Sequence, residues 1–204
     1  PHGLGTADIG MIIVKAIDAV RDPVVYHKYL GATKLLTLNG SPAADTATNM
    51  WNDTEPTSTL FSLGDSVKSN ANTENFIAYC FAEIQGYSKF GSYVGSGNAD
   101  GPFIYTGFSP NFVMWKASSA TSRWPIFDQA RSPYNVQPSD NFSANSTAAE
   151  ISGDSNCLTD FLSNGFKLRM GNDSDANGTG VTYIFVAFAH APFVNSSGVP
   201  VNAR

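Results

Sequence analysis

Apolar positions along this chain fall in short runs, each bounded by Gly, Pro, Asn or Asp. Runs of β-branched and aromatic residues between turn formers read as strands. The pattern predicts strands over about 9–15, 22–28, 33–39, 58–63, 75–84, 88–95, 102–106, 111–117, 123–128, 165–170 and 181–189. Within one of them, Phe90, Ser92 and Val94 alternate with Gly91, Tyr93 and Gly95, which is the two-residue period of a pleated strand. The runs 75–84 and 181–189 are apolar on both parities, so they are expected to be central strands covered on both faces. Ala and acidic residues cluster in 43–50 and 147–151, where short helical turns are predicted, too short to be stable alone.

The pattern also repeats. Met11-Ile-Ile-Val-Lys-Ala16 returns about 100 residues later as Phe112-Val-Met-Trp-Lys-Ala117, with Lys15 over Lys116. Pro23-Val-Val-Tyr-His27 lies over Trp124-Pro-Ile-Phe-Asp128, and Asn39-Gly-Ser-Pro-Ala-Ala-Asp45 over Asn145-Ser-Thr-Ala-Ala-Glu150. Thr59-Leu-Phe-Ser-Leu63 resembles Asn164-Gly-Phe-Lys-Leu168, and Phe76-Ile-Ala-Tyr-Cys-Phe-Ala82 resembles Tyr183-Ile-Phe-Val-Ala-Phe-Ala189. The order is kept while the offset drifts from about 101 to about 107. A tandem duplication is the reading. His2-Gly-Leu4 stands where Thr106-Gly-Phe108 stands, but nothing like the strand at Ser88–Val94 precedes it. The opening strand of the first copy is therefore expected upstream of Pro1.

The expected fold class is all-β, with two tandem, similar antiparallel β-sandwich modules and few or no helices. The boundaries are 1–86 for the first copy, 87–194 for the second and 195–204 for a C-terminal arm or linker. Composition agrees. Charged residues are 14% of the 204, below the roughly 25% usual in soluble domains, and polarity comes from Ser, Thr and Asn. Net charge is −5, which argues against a partner held by its phosphate backbone, so no nucleic acid is expected. No run of about 18 apolar residues occurs, so no membrane insertion is expected. Cys80 and Cys157 are too few for a disulfide framework and lack partners at zinc spacing; a buried thiol and a separate free one are expected.

The ordered blocks also resemble a known family. His2-Gly-Leu-Gly5 with Ile12-Ile-Val-Lys15, Val25-Tyr-His-Lys28, Trp51-Asn-Asp-Thr54, Tyr79-Cys-Phe-Ala-Glu83, Tyr87-Ser-Lys-Phe-Gly-Ser-Tyr93, Thr106-Gly-Phe108, Phe161-Leu-Ser-Asn-Gly-Phe166 and Tyr183-Ile-Phe-Val-Ala-Phe188 are similar to a duplicated domain of bacteriophage virion proteins, especially tail fibres of marine phages. The resemblance extends to about Phe193. It implies a non-enzymatic structural or adhesive virion component on a tail fibre or other external appendage. It also implies self-association, as a homotrimer, and contact with other virion proteins. It supplies no catalytic residues and no cofactor. A capsid fibre or decoration protein and a polysaccharide-degrading tailspike module are the competing readings.

Candidate chemistry is sparse. Seventeen acidic residues are scattered through turns, and nothing singles out the facing carboxylate pair that glycoside hydrolysis needs. His27 faces Asp128 across the repeat, so both read as solvated strand ends. Lys15 and Lys116 read as solvated strand caps. Asp173-Ser-Asp-Ala-Asn-Gly178 begins like a calcium loop, but Ile184 occupies the twelfth position where that loop needs Glu. It reads as a polar turn, and no metal is expected. For contact with a host-surface polysaccharide, Trp51 and Tyr134 are the candidates, since each lies in a polar loop and an exposed ring stacks on sugar. Either ring could equally anchor its loop. Trp115 and Trp124 sit in strands and read as packing residues.

Overall fold

The computed structural model describes residues 1–5, 8–131, 135 and 139–190. The proposed arm 195–204 and the candidate Tyr134 lie outside the described residues. In chain order the strands are β1 (Asp8–Ala16), β2 (Val24–His27), β3 (Lys34–Thr37), β4 (Asp45–Thr46), β5 (Phe76–Glu83), β6 (Ser88–Val94), β7 (Phe103–Tyr105), β8 (Pro110–Ala117), β9 (Pro125–Asp128), β10 (Ser139–Ser143), β11 (Ile151–Asp154), β12 (Thr159–Leu162), β13 (Gly165–Leu168) and β14 (Thr182–Ala189). A short helix, α1 (Val67–Asn70), interrupts them, capped by the Ser66 hydroxyl, which accepts from the Lys68 N–H. The chain is all-β, as its alternating runs and turn residues dictate.

Three antiparallel sheets form, ordered β4-β3-β2-β1-β5, β11-β10-β9-β8-β14-β6 and β12-β13-β7. The two large sheets follow the same plan. Lys15 faces Ile77 across the β1–β5 ladder, and Lys116 faces Ile184 across β8–β14. Met11 faces His27, and Phe112 faces Asp128. Even the irregularities coincide. Gly10 is the extra residue between the pairs Ile9–Ala82 and Met11–Phe81, and Asn111 is the extra residue between Pro110–Ala189 and Phe112–Phe188. Before the last strand, the N–H groups of Ser69 and Asn70 bond the Ser66 carbonyl, as those of Ala176 and Asn177 bond Asp173.

Alternation along the strands feeds three cores. One face of β1 sends Ile12 and Val14 into a cluster with Tyr26, Met50 and Trp51. One face of β8 sends Val113 and Trp115 into a cluster with Phe127, Phe166 and Phe185, roofed by the three-stranded sheet. The opposite faces meet in a shared middle core of Met11, Val25, Leu36, Phe90, Met114, Trp124, Ile184 and Val186. The result is a β-sandwich-like stack in which both large sheets contribute to one central core.

Three expectations change. Residues 58–63 form no strand. Their repeat counterpart β13 is paired on both sides, by β12 and β7, and a strand needs such a partner. Among the described residues β5 is not central but ends its sheet, whereas β14 sits between β8 and β6 as expected. No helical turn forms in 147–151, while α1 lies at Val67–Asn70, where the pattern predicted none.

Candidate functional site

Trp51 is not a stacking platform. It is 1% exposed, its indole N–H donates to the Lys34 carbonyl at 3.1 Å, and its ring meets Tyr26 edge-on at 5.7 Å. The polar residues around it form the turn, while the ring itself fills the first core and anchors the loop. Trp115 and Trp124 are buried packing residues, and the Trp124 indole N–H reaches across to the Thr37 carbonyl at 3.0 Å.

Two residues read as solvated are also buried. Lys116 is fully enclosed, and its ammonium donates to the carbonyls of Ser41 and Ala117 and to the Ser122 hydroxyl. Burial pushes its pKa down to about 8, with Asp175 pulling the other way. Lys15, at the matching place, is partly buried and donates to the Arg21 carbonyl. His27 lies in the middle of the molecule. Its Nε2 is 3.1 Å from the Phe185 carbonyl, and its Nδ1 accepts the Tyr29 N–H at 3.3 Å. That pattern fixes the neutral ring with its proton on Nε2. Burial lowers its pKa to about 4, the Phe185 bond opposing and Lys28 assisting. Both side chains join the first sheet to the second.

The polar turn before β14 is occupied by protein partners. Asp173 Oδ1 accepts the Asp175 N–H, and the Asp175 carboxylate takes the Arg123 backbone N–H and Nε. Buried Asn177 ties together Ser96, Asn98 and Met170. No group of three or more His, Cys, Asp or Glu side chains suited to a metal occurs among the described residues. Arg123 also reaches Asp154 and the Cys157 sulfur. Cys157 is the buried thiol and Cys80 is half-buried; neither is bridged. Burial drives the Cys157 pKa well above its ordinary value, with Arg123 opposing, so this thiol is a packing group rather than a nucleophile.

The surface aromatics gather elsewhere. β7 turns Ile104 into the core and leaves Phe103 and Tyr105 facing out at 45% and 63% exposure. Tyr29, 51% exposed, stands in the turn after β2. The three line one cleft of about 230 Å3 with Lys89 and Ser92. Both large sheets therefore shape it. Buried His27 fixes the turn that carries Tyr29, and the Lys89 ammonium is held by Glu83 at 2.5 Å. Exposed rings on a rigid frame, with a hydroxyl and an ammonium alongside, suit the apolar face and hydroxyl rim of a sugar. The lining contains no carboxylate. Sequence reading passed over these residues. The three-residue alternation Phe103-Ile104-Tyr105 was the available signal, but only the fold brings Tyr29 beside it.

The chain matches the family described as a domain of unknown function, DUF7483, over residues 1–192. It belongs to that family. The match runs through both sheets, so the DUF7483 unit is the whole two-sheet assembly rather than either sheet alone. No curated protein matches the chain, and no solved structure matches it.

Proposed function

We propose that this DUF7483 chain is a non-enzymatic structural module of a bacteriophage virion, of the tail-fibre type, whose aromatic cleft touches polysaccharide on the host surface. In this reading it descends from a tandem duplication, and its two sandwich-type modules are joined face to face. The duplication is supported by the common strand order, register and bulge position of the two large sheets. The virion setting rests on the resemblance in block order. The attachment role is carried by one observation: three exposed aromatic rings, Tyr29, Phe103 and Tyr105, converge on a cleft where the two sheets meet. The polar groups at matched positions support a structural rather than a reactive use. His27 and Lys116 serve the joint, and Asp128 pairs with Arg131 at the surface.

The test is binding of the purified chain to surface polysaccharide extracted from the host. Tyr29→Ala and Tyr105→Ala should each weaken binding roughly tenfold, the loss of about 1.4 kcal/mol, with the melting temperature unchanged because both rings are exposed. Absence of binding, or variants that bind like the parent, contradicts the cleft. Released oligosaccharides would favour the tailspike reading. Immunolabelling of particles should mark the tail; label on the head would favour the decoration reading.

A further inference from the structure

The loop after β3 docks on the turn after β8. The Ala44 N–H bonds the Ser118 carbonyl at 2.9 Å, the Ser122 N–H bonds the Ser41 carbonyl at 3.0 Å, and the Lys116 ammonium reaches the same Ser41 carbonyl. Each side of this contact has a counterpart in the other half. The Ile17 N–H bonds the Asn75 carbonyl as the Ser118 N–H bonds that of Thr182. Ile17 therefore stands for Ser118, and the same count along the turn puts Arg21 in place of Ser122. The loop after β10 repeats the loop after β3. Leu38 and Gly40 N–H groups bond the Pro23 and Thr37 carbonyls, as those of Ala144 and Ser146 bond Trp124 and Ser143. Both loops then run the same length to the next strand, so Thr147 stands for Ser41 and Glu150 for Ala44.

Within one chain these counterparts stay apart at the surface. Ile17 is 65% exposed, Val20 is wholly exposed, and residues 147–150 are exposed throughout. Among the described residues, the Ile17 carbonyl, the Arg21 N–H, the Thr147 carbonyl and the Glu150 N–H have no backbone partner. Beside Arg21 opens a cleft of about 560 Å3, edged by Lys15, Val20, Asp22, Val67 and Lys68. We propose that this turn is an interaction surface for a second copy of the chain, whose loop 147–150 docks on 17–21 as 41–44 docks on 118–122 within one copy. This rests on the duplicated frame proposed above, not on attachment to a host. The correspondence sets the pairing: the Thr147 carbonyl accepts from the Arg21 N–H and the Lys15 ammonium, and the Glu150 N–H bonds the Ile17 carbonyl. Charge agrees with it. Glu74 neutralises Arg21, which leaves Lys15 and Lys68 against Asp22 at the cleft, and the incoming loop brings Glu150 where the in-chain loop has Ala44. One loop and one turn on each copy make the contact heterologous.

The test is sedimentation of the parent chain across a concentration series up to about 1 mM, where it should associate. Glu150→Pro removes the N–H that the loop offers. Val67→Asp sets a carboxylate in the cleft against Glu150, at an exposed first helical residue where an acidic group is tolerated. Each should weaken self-association at least about tenfold, with the melting temperature of the dilute protein unchanged. The two variants mixed should pair where neither associates alone, because the Glu150→Pro copy keeps its turn and the Val67→Asp copy keeps its loop. Damaged folding would not be rescued by mixing. A parent that stays monomeric throughout overturns the proposal, and so do variants that associate like the parent or a mixture that does not pair. Host binding is not among the readouts, so failure here is separate from failure of the aromatic cleft.

Discussion

At the scale of single residues, burial decides what a polar side chain is for. His27 and Asp128 occupy the same register position, yet one ring is sealed in the middle of the molecule and the other side chain is partly open and paired with Arg131. The sealed ring has a pH consequence. His27 titrates near 4 when folded and near 6.5 when unfolded. The folded state therefore holds it neutral, and the unfolded state takes up a proton first. Its contribution is complete above pH 6.5 and is lost as pH falls from 6.5 to 4, about 3 kcal/mol in all. His27→Gln keeps a donor for the Phe185 carbonyl but does not titrate. Urea unfolding at pH 7 and pH 4.5 should show a smaller acid loss for the variant than for the parent. Equal losses would mean that His27 is not sealed.

At the scale of elements, the legible part of the fold was the part written in apolar alternation. β1, β2, β8, β9 and β14 stand where the pattern placed them. The polar strands were hidden: Ser139–Ser143, Ile151–Asp154 and Thr159–Leu162 carry few apolar residues and no clear apolar alternation. The apolar content of 75–84 spoke truly of packing, yet not of pairing, because a sequence run does not state how many neighbours a strand has. Trp51 misled for a similar reason. It stands in a mostly polar loop, while its ring packs in space with Tyr26, Ile12 and Val14. The site was less legible than the fold, since Tyr29 joins Phe103 and Tyr105 only through the contact between sheets. The bulge at Gly10 is a sharp point of that contact. A Cβ there would lie 2.1 Å from the Phe90 ring, so Gly10→Val forces the ring out of the shared core. Overpacking of this kind costs about 1–3 kcal/mol. Chemical denaturation should record that loss for Gly10→Val; a variant as stable as the parent would show that Phe90 is free to move.

At the scale of the molecule, the two halves do not behave as beads on a string. Their sheets share the core built on Met11, Val25, Leu36, Phe90, Met114, Trp124, Ile184 and Val186. Polar ties cross the same boundary, among them His27 to Phe185, Lys116 to Ser41, Trp124 to Thr37, and the Ala44 N–H to the Ser118 carbonyl. Removing one half would expose the shared apolar face of the other and strand a buried ammonium and a buried imidazole, each costing more than a surface group could. Such a joint gives the proposed attachment cleft fixed walls, because Tyr29 and Tyr105 are carried by different sheets. Scanning calorimetry of the intact chain tests this union most directly. One transition whose calorimetric and van't Hoff enthalpies agree is the predicted result; two separable transitions, one for each sheet, would contradict it.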